Sequence, residues 1–200
     1  MFENWHTLGL LFKHIQQNGV EFSDTLLVQA AVRDTLLRLL ERRLFLARWT
    51  DEIIEETVRT LQDKLGRTQQ QTDYLVNELR NHFPDAWVEQ GYRELIPVMT
   101  NQEKDRHVLA AAVKTPCEVI VTYNLKHFPE ESLNPFKITA KHPDEFLIDL
   151  YHLNGEMVVH ELHQQGAALR TPRTISEVLA SLEICKCAQF AQLIRERLAL

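Results

Sequence analysis

Up to about residue 142, short apolar runs alternate with longer amphipathic segments, and this alternation constrains the fold more than any other feature of the sequence. The run Val119–Tyr123 is short and β-branched, which is typical of a strand buried on both faces. Strands alternating with helices predict an α/β sandwich with a central, mostly parallel sheet flanked by helices. The other predicted strand segments are Val20–Phe22, 26–28, 44–49, 87–88 and 137–140.

The remaining segments have helical periodicity, and several carry cap residues. Thr50 is placed to cap the start of one helix, Gly66 to end it, and Thr68 to cap the next. Thr174 and Glu177 have the spacing of a capping box. From residue 143 onward the pattern is helical throughout. The predicted helices are 4–17, 31–42, 51–64, 69–82, 103–114, 143–153, 156–168, 175–184 and 187–198.

These elements predict three parts: an N-terminal helical extension over 1–18, an α/β domain over 19–142 and a helical C-terminal subdomain over 143–200. A net charge of −6 argues against a protein that binds nucleic acid by bulk charge alone. No run of roughly 18 uncharged apolar residues predicts a membrane span, and no secretory signal is recognisable. Three cysteines favour a reducing compartment, so a cytoplasmic protein is expected.

Four polar residues lie where an α/β sheet collects ligands, at or near the carboxyl ends of its strands. Asp24 follows the first predicted strand, and Asn124 follows the strand ending at Tyr123. Asp105 lies in the first turn of a helix, and Glu56 lies one turn inside another. Each has an ordinary structural explanation when taken alone, as a cap, a turn residue or a solvated side chain.

Taken together, the segments around these residues resemble a PIN-domain nuclease of the VapC-like toxin branch, which carries a C-terminal helical extension. The resemblance covers roughly residues 20–200. The segments that carry it are Asp105–Ala112, Val119–Pro129, Thr50–Arg59, Arg33–Leu39 and His142–Leu147.

The resemblance implies an endoribonuclease that hydrolyses RNA phosphodiester bonds with Mg²⁺ or Mn²⁺. It also implies a cognate antitoxin protein as partner and allows a homodimer. Residue by residue, it implies a metal site formed by Asp24, Glu56, Asp105 and Asn124, with Thr122 steadying that site. Hard oxygen ligands suit a hard divalent cation. Two carboxylates ~5 Å apart repel by roughly 3 kcal/mol at an effective dielectric constant of ~20, which a bound cation relieves.

Basic residues near these acids are candidates for binding the substrate. Arg33, Arg106 and Lys126 are candidates for the local basic rim that an acidic protein needs to hold RNA. The sequence departs from the family pattern at Asp24, whose place Ser23 is able to take, and at His127, which stands where the family often has an acid.

Other interpretations stay open. One is a degenerate PIN scaffold that binds a protein partner or RNA without cleaving it. Another is a helical DNA-binding regulator acting through residues 170–185. His107, the pair His160 and His163, and the cysteines of 185–187 are expected to be packed or surface side chains.

Overall fold

A computed structural model describes residues 19–200, with the backbone but not the side chains of Asp24 and Thr25. The helix predicted over 4–17 lies outside the described residues. Four strands form one sheet in the order β2-β1-β3-β4, and every neighbouring pair is parallel. The predicted α/β class with a C-terminal helical extension is confirmed. The strands are β1 Gly19–Phe22, β2 Leu46–Arg48, β3 Cys117–Val121 and β4 Thr139–Lys141.

Nine α-helices lie within residues 19–200, joined in places by short 3₁₀ turns. The α-helices are α1 Asp24–Val28, α2 Ala30–Glu41, α3 Asp51–Leu65, α4 Gln69–His82, α5 Arg106–Lys114, α6 Glu130–Leu133, α7 Pro143–Ala167, α8 Ile175–Ile184 and α9 Ala188–Leu198. The 3₁₀ turns are Pro84–Ala86, Arg93–Val98, Glu103–Asp105, Leu125–His127 and Asn134–Phe136.

The predicted caps form and set the helix ends. The backbone N–H of Ile53 donates to the Thr50 hydroxyl at 3.2 Å and so starts α3. Gly66 ends α3 in the left-handed region at φ +61°, a conformation that costs glycine little. Thr68 and Thr174 each complete a capping box, at the starts of α4 and α8.

Two predicted elements are wrong. Residues 26–28 are helical rather than extended, because the chain turns at Ser23 and packs Leu26 and Leu27, both buried, against α3. Residues 87–88 make no strand, only a single bridge from Trp87 to Trp49 just beyond β2. The two helices predicted at 143–153 and 156–168 are confirmed: they are the two halves of α7, divided by the non-helical backbone of Asn154 at φ −153° and ψ 80°.

Helices cover the sheet and the carboxyl-terminal helices pack on that assembly. Helix α5 packs against β1 and β3, while α7 packs against α2 and α9. Buried polar side chains hold these layers in register. Gln165 of α7 accepts from the Thr35 hydroxyl at 2.7 Å, and Glu161 accepts from Arg42 at 2.7 Å. In the described part of the chain, no helix has both the length and the apolar character needed to cross a bilayer.

Candidate functional site

The topology brings the predicted site residues to the carboxyl edge of the sheet. Because all strand pairs are parallel, the segments that follow β1, β2 and β3 leave the sheet at this edge. Asp24 begins α1 just after β1, Glu56 lies in the helix that follows β2, and Thr122 directly follows β3. Asp105 precedes α5, which leads back into β3, so the start of α5 lies at the same edge.

Asp105 is a buried acid with a defined partner. Its side chain is 8% exposed, and Oδ2 lies 2.9 Å from Nδ1 of His127. Its main chain is fixed as well: the Asp105 N–H donates to the carbonyl of Gln102 at 2.9 Å, and the Asn101 amide donates to the carbonyl of Asp105 at 3.1 Å. The acid is therefore held both by its side chain and by its backbone.

Glu56 faces the start of the same helix. Its Oε2 lies 3.7 Å from Nε2 of His107, whose side chain is 11% exposed. His107 comes two residues after Asp105 in the sequence, so this contact brings the middle of α3 to the start of α5. Glu56 and Asp105 therefore lie at one edge of the molecule, as a shared cation site requires.

One turn before Glu56, Glu52 forms a second acidic position on α3. It accepts hydrogen bonds from the Tyr92 hydroxyl at 2.8 Å and from Nε of Arg93 at 2.9 Å. Partial burial opposes its ionisation, but these hydrogen bonds and the charges of Arg93 and His107 hold the pKa of Glu52 below its usual value. Burial and the adjacent Glu52 carboxylate raise the pKa of Tyr92 to about 12.

The turn after β3 places two further predicted residues. Thr122 is buried, and its hydroxyl accepts from the backbone N–H of Asn124 at 3.0 Å. The turn then brings the chain back, because the N–H of His127 donates to the carbonyl of Asn124 at 2.9 Å. Thr122 is thus placed to support Asn124, and Asn124 to orient His127.

The three predicted substrate-binding residues lie in different surroundings. Arg106 is next to Asp105 and donates from Nε to the carbonyl of Asn101 at 3.4 Å. Lys126 is exposed and adjoins His127. Arg33 is partly buried on α2 and donates to the carbonyl of Leu27. It lines a groove of about 590 Å³ between α2, α4 and α8, and burial together with the charge of Arg67 lowers its pKa.

Two histidines and one acid at this edge were not predicted as site residues. His127 was predicted only as a departure from the family pattern, and its position three residues after Asn124 was the available signal. His107 follows Asp105 by two residues, a spacing with many ordinary explanations. Glu52 lies four residues before Glu56, which places both on one face of a helix.

The oxygen donors at this edge are of the type that Mg²⁺ and Mn²⁺ prefer. The described acids, however, stand in separate acid–histidine pairs. Among the side chains that the structure describes, no three His, Cys, Asp or Glu residues are grouped so as to hold a metal ion. A site with three acids therefore depends on Asp24, whose backbone begins α1 directly after Ser23.

Comparisons with known proteins bear on the resemblance. Residues 143–196 match the family described as VapC50 C-terminal domain. The curated protein named "Putative ribonuclease VapC50" from Mycobacterium tuberculosis is 59% identical over 66 residues, which make up 33% of this chain and 39% of that relative. The match thus spans well under half of the relative's length. No solved structure matches the chain. These findings confirm the resemblance of the chain to VapC-like PIN nucleases with a C-terminal helical extension.

Proposed function

We propose that the protein is a divalent-metal-dependent endoribonuclease, the toxin of a toxin–antitoxin pair, that acts in the cytoplasm with Mg²⁺ or Mn²⁺. The observation that carries the proposal is the contact of Glu56 with His107, which places Glu56 and Asp105 at one edge of the sheet. The relative's printed name, a ribonuclease, supports the same reaction. The antitoxin partner and the RNA substrate rest on the family resemblance.

The residues that would hold the cation are Glu56, Asp105, Asn124 and Asp24. Where such acids approach one another, their mutual repulsion would be relieved by the bound cation. A bound divalent ion lowers the pKa of an attacking water and stabilises charge that develops on the phosphate. No serine or cysteine nucleophile is required for this chemistry.

The remaining residues have supporting roles in this proposal. The Thr122 hydroxyl holds the backbone of Asn124 and so fixes the turn that follows β3. Arg106 and Lys126 adjoin Asp105 and His127 in the sequence and would bind the phosphates that flank the cleaved bond. Two local cations allow a protein with a net charge of −6 to hold RNA at this edge.

Cleavage of labelled RNA by the purified protein tests the proposal. The wild type should cleave with Mn²⁺ and lose activity in EDTA, and Asp105→Asn should lose about 100-fold or more. Asp63→Asn, an exposed acid of α3, is the matched control and should cleave like the wild type. Cleavage that persists in EDTA, or equal rates for Asp105→Asn and the wild type, would contradict the proposal.

The second candidate function is a degenerate PIN scaffold that binds RNA or protein without cleavage. The observation that favours it is the absence, among the described side chains, of any three metal-binding residues grouped together. Titration with Mn²⁺ separates the two candidates. RNA binding without measurable Mn²⁺ affinity would favour the scaffold, and Mn²⁺ binding that Asp105→Asn abolishes would favour the nuclease.

A further inference from the structure

His127 and Asp105 form the closest acid–base contact at the carboxyl edge. Nδ1 of His127 lies 2.9 Å from Oδ2 of Asp105, and the two side chains are 14% and 8% exposed. The other acid–histidine pair at this edge is looser, because Glu56 and His107 are separated by 3.7 Å. That separation exceeds ordinary hydrogen-bond length, whereas the contact between His127 and Asp105 is a hydrogen bond.

The backbones of both partners are also tied to each other. The N–H of Gln102 donates to the carbonyl of His127 at 3.1 Å, and the N–H of Asp105 donates to the carbonyl of Gln102 at 2.9 Å. The turn after β3 and the turn before α5 are therefore joined through Gln102. These backbone hydrogen bonds hold the two side chains near each other. The hydrogen bond between the imidazole and the carboxylate therefore costs little additional conformational entropy.

The chemistry of the two groups fixes how they bond. An ionised carboxylate only accepts hydrogen bonds, so a neutral His127 must carry its proton on Nδ1 to donate to Oδ2. This bond occupies one of the two carboxylate oxygens and sets the plane of the group. A cation would then be bound through the other oxygen, in the orientation that the imidazole imposes.

We propose that His127 is a positioning residue for Asp105 and that it presets this acid for binding a divalent cation. The inference rests on the proposed function, since it concerns the same cation. Carboxylates and imidazoles behind metal ligands contribute about 10- to 100-fold to metal affinity when they are well placed. His127 stands in this position although the family pattern has an acid there.

Calorimetric titration with Mn²⁺ alone, on the full chain, tests the inference with four variants. His127→Ala should bind Mn²⁺ about 10- to 100-fold more weakly than the wild type. His127→Asn should bind nearly as tightly, since its amide nitrogen lies where Nδ1 was. His127→Gln should behave like His127→Ala, because its amide reaches the position of Nε2 instead. His82→Ala, which changes an exposed histidine of α4, is the control and should match the wild type.

A second measurement does not depend on any cation. Long-range ¹H–¹⁵N NMR spectra of the metal-free wild type should show a proton on Nδ1 of His127. Thermal unfolding of each variant identifies those that are folded, and His127→Asn and His127→Gln provide the comparison if His127→Ala does not fold.

The outcomes separate the inference from the proposed function. Wild-type affinity in both His127→Ala and His127→Gln, or an Nδ1 of His127 without a proton in the wild type, would overturn the positioning role while leaving the nuclease intact. Absence of Mn²⁺ binding by the wild type would overturn the metal-dependent function, and this inference with it. Weak binding by the alanine and glutamine variants with rescue by asparagine would support it.

Discussion

The carboxyl edge of the sheet and the C-terminal helical layer both contain buried acids, but they use them differently. In the helical layer, Asp144 accepts from the backbone N–H groups of Gln189 and Phe190 at 3.2 and 2.8 Å and so caps the start of α9. At the carboxyl edge, Asp105 meets a histidine and Glu56 lies near another.

This difference distinguishes an acid that caps a helix from acids for which we propose a role in binding a cation. An acid that accepts two backbone N–H groups at a helix start satisfies donors that the helix leaves open, so it stabilises the native packing. The acids at the carboxyl edge instead contact histidine side chains and satisfy no helix N-terminus. Substitutions of acids in the C-terminal helical layer should therefore change stability, and substitutions of acids at the carboxyl edge should change function.

The largest expected effect is the loss of RNA cleavage activity in the variant Glu56→Gln. If this edge binds the cation, Glu56→Gln should lower the rate of RNA cleavage about 100-fold or more while the protein stays folded. Glu55→Gln changes the exposed neighbouring acid on α3 and should cleave at the wild-type rate. Unfolding of the Glu56→Gln variant, or equal cleavage rates for the two variants, would contradict a functional role for Glu56.

The next effect is on stability and belongs to the helical layer. Asp144→Ala leaves two backbone N–H groups at the start of α9 without their acceptor, so the free energy of unfolding should fall by about 2 kcal/mol. Urea denaturation measures this change. Glu145→Ala removes an exposed side chain whose ion pair with Lys141 is 3.7 Å long, and it should cost less than about 0.5 kcal/mol. Similar losses for the two variants would refute the capping role.

Another buried acid, Glu21, extends the comparison because it neither caps a helix nor lies among the candidate site residues. It is fully buried in β1, and neither carboxylate oxygen has a hydrogen-bond partner among residues 19–200 as the structure describes them. Burial raises the pKa of Glu21 well above its usual value, although the charge of Arg48 opposes this. The folded state therefore keeps a proton that the unfolded state releases.

The sign of the resulting pH dependence follows from that proton. The contribution of Glu21 is fully present below its unfolded pKa and is lost as the pH rises towards the folded pKa, at up to about 1.4 kcal/mol per pH unit. Glu21→Gln should flatten this decline in urea denaturation at pH values above about 5, where the unfolded chain has released the proton. Glu41→Gln, at the exposed end of α2, should keep the wild-type slope. If the stability of Glu21→Gln declined with pH as steeply as that of the wild type, the raised pKa of Glu21 would not be its cause.

The smallest effect is expected where an ion pair is exposed to solvent. Arg80 donates to Asp51 at 2.6 Å with both side chains about half exposed, and its guanidinium lies 3.9 Å from the ring centre of Trp87. Arg80→Ala should lower the free energy of unfolding by about 0.5–1 kcal/mol. Arg80→Lys, which keeps the charge, should recover part of the loss. A loss of unfolding free energy larger than that of Asp144→Ala would contradict the small contribution expected of this exposed ion pair.

Much of the fold was predictable from local signals. The β-branched run 119–121 marked the central strand β3, and caps such as Thr50 and Thr68 marked helix starts within a residue. The errors arose where tertiary packing overrides a local pattern. Leu26 and Leu27 have the composition of a strand, but their burial against α3 requires a helical turn.

The acids of the candidate site were proposed from the family resemblance, whereas the histidines that contact them were not. Glu56, Asp105 and Asn124 occupy positions that a family pattern specifies, whereas the pairing of Asp105 with His127 joins residues 22 apart. No local periodicity encodes such a pair. It arises because β3 and the turn after it bring His127 back to the start of α5, which only the packed sheet determines.

The central claim is that acids from separate segments share one divalent cation at the carboxyl edge. The most direct measurement is an anomalous-scattering map of crystals of the protein grown with Mn²⁺. We predict one peak within about 2.5 Å of a carboxylate oxygen of Asp105, with Glu56 facing the same ion directly or through water. A map without a peak at this edge, or with Mn²⁺ bound elsewhere on the protein, would contradict the claim.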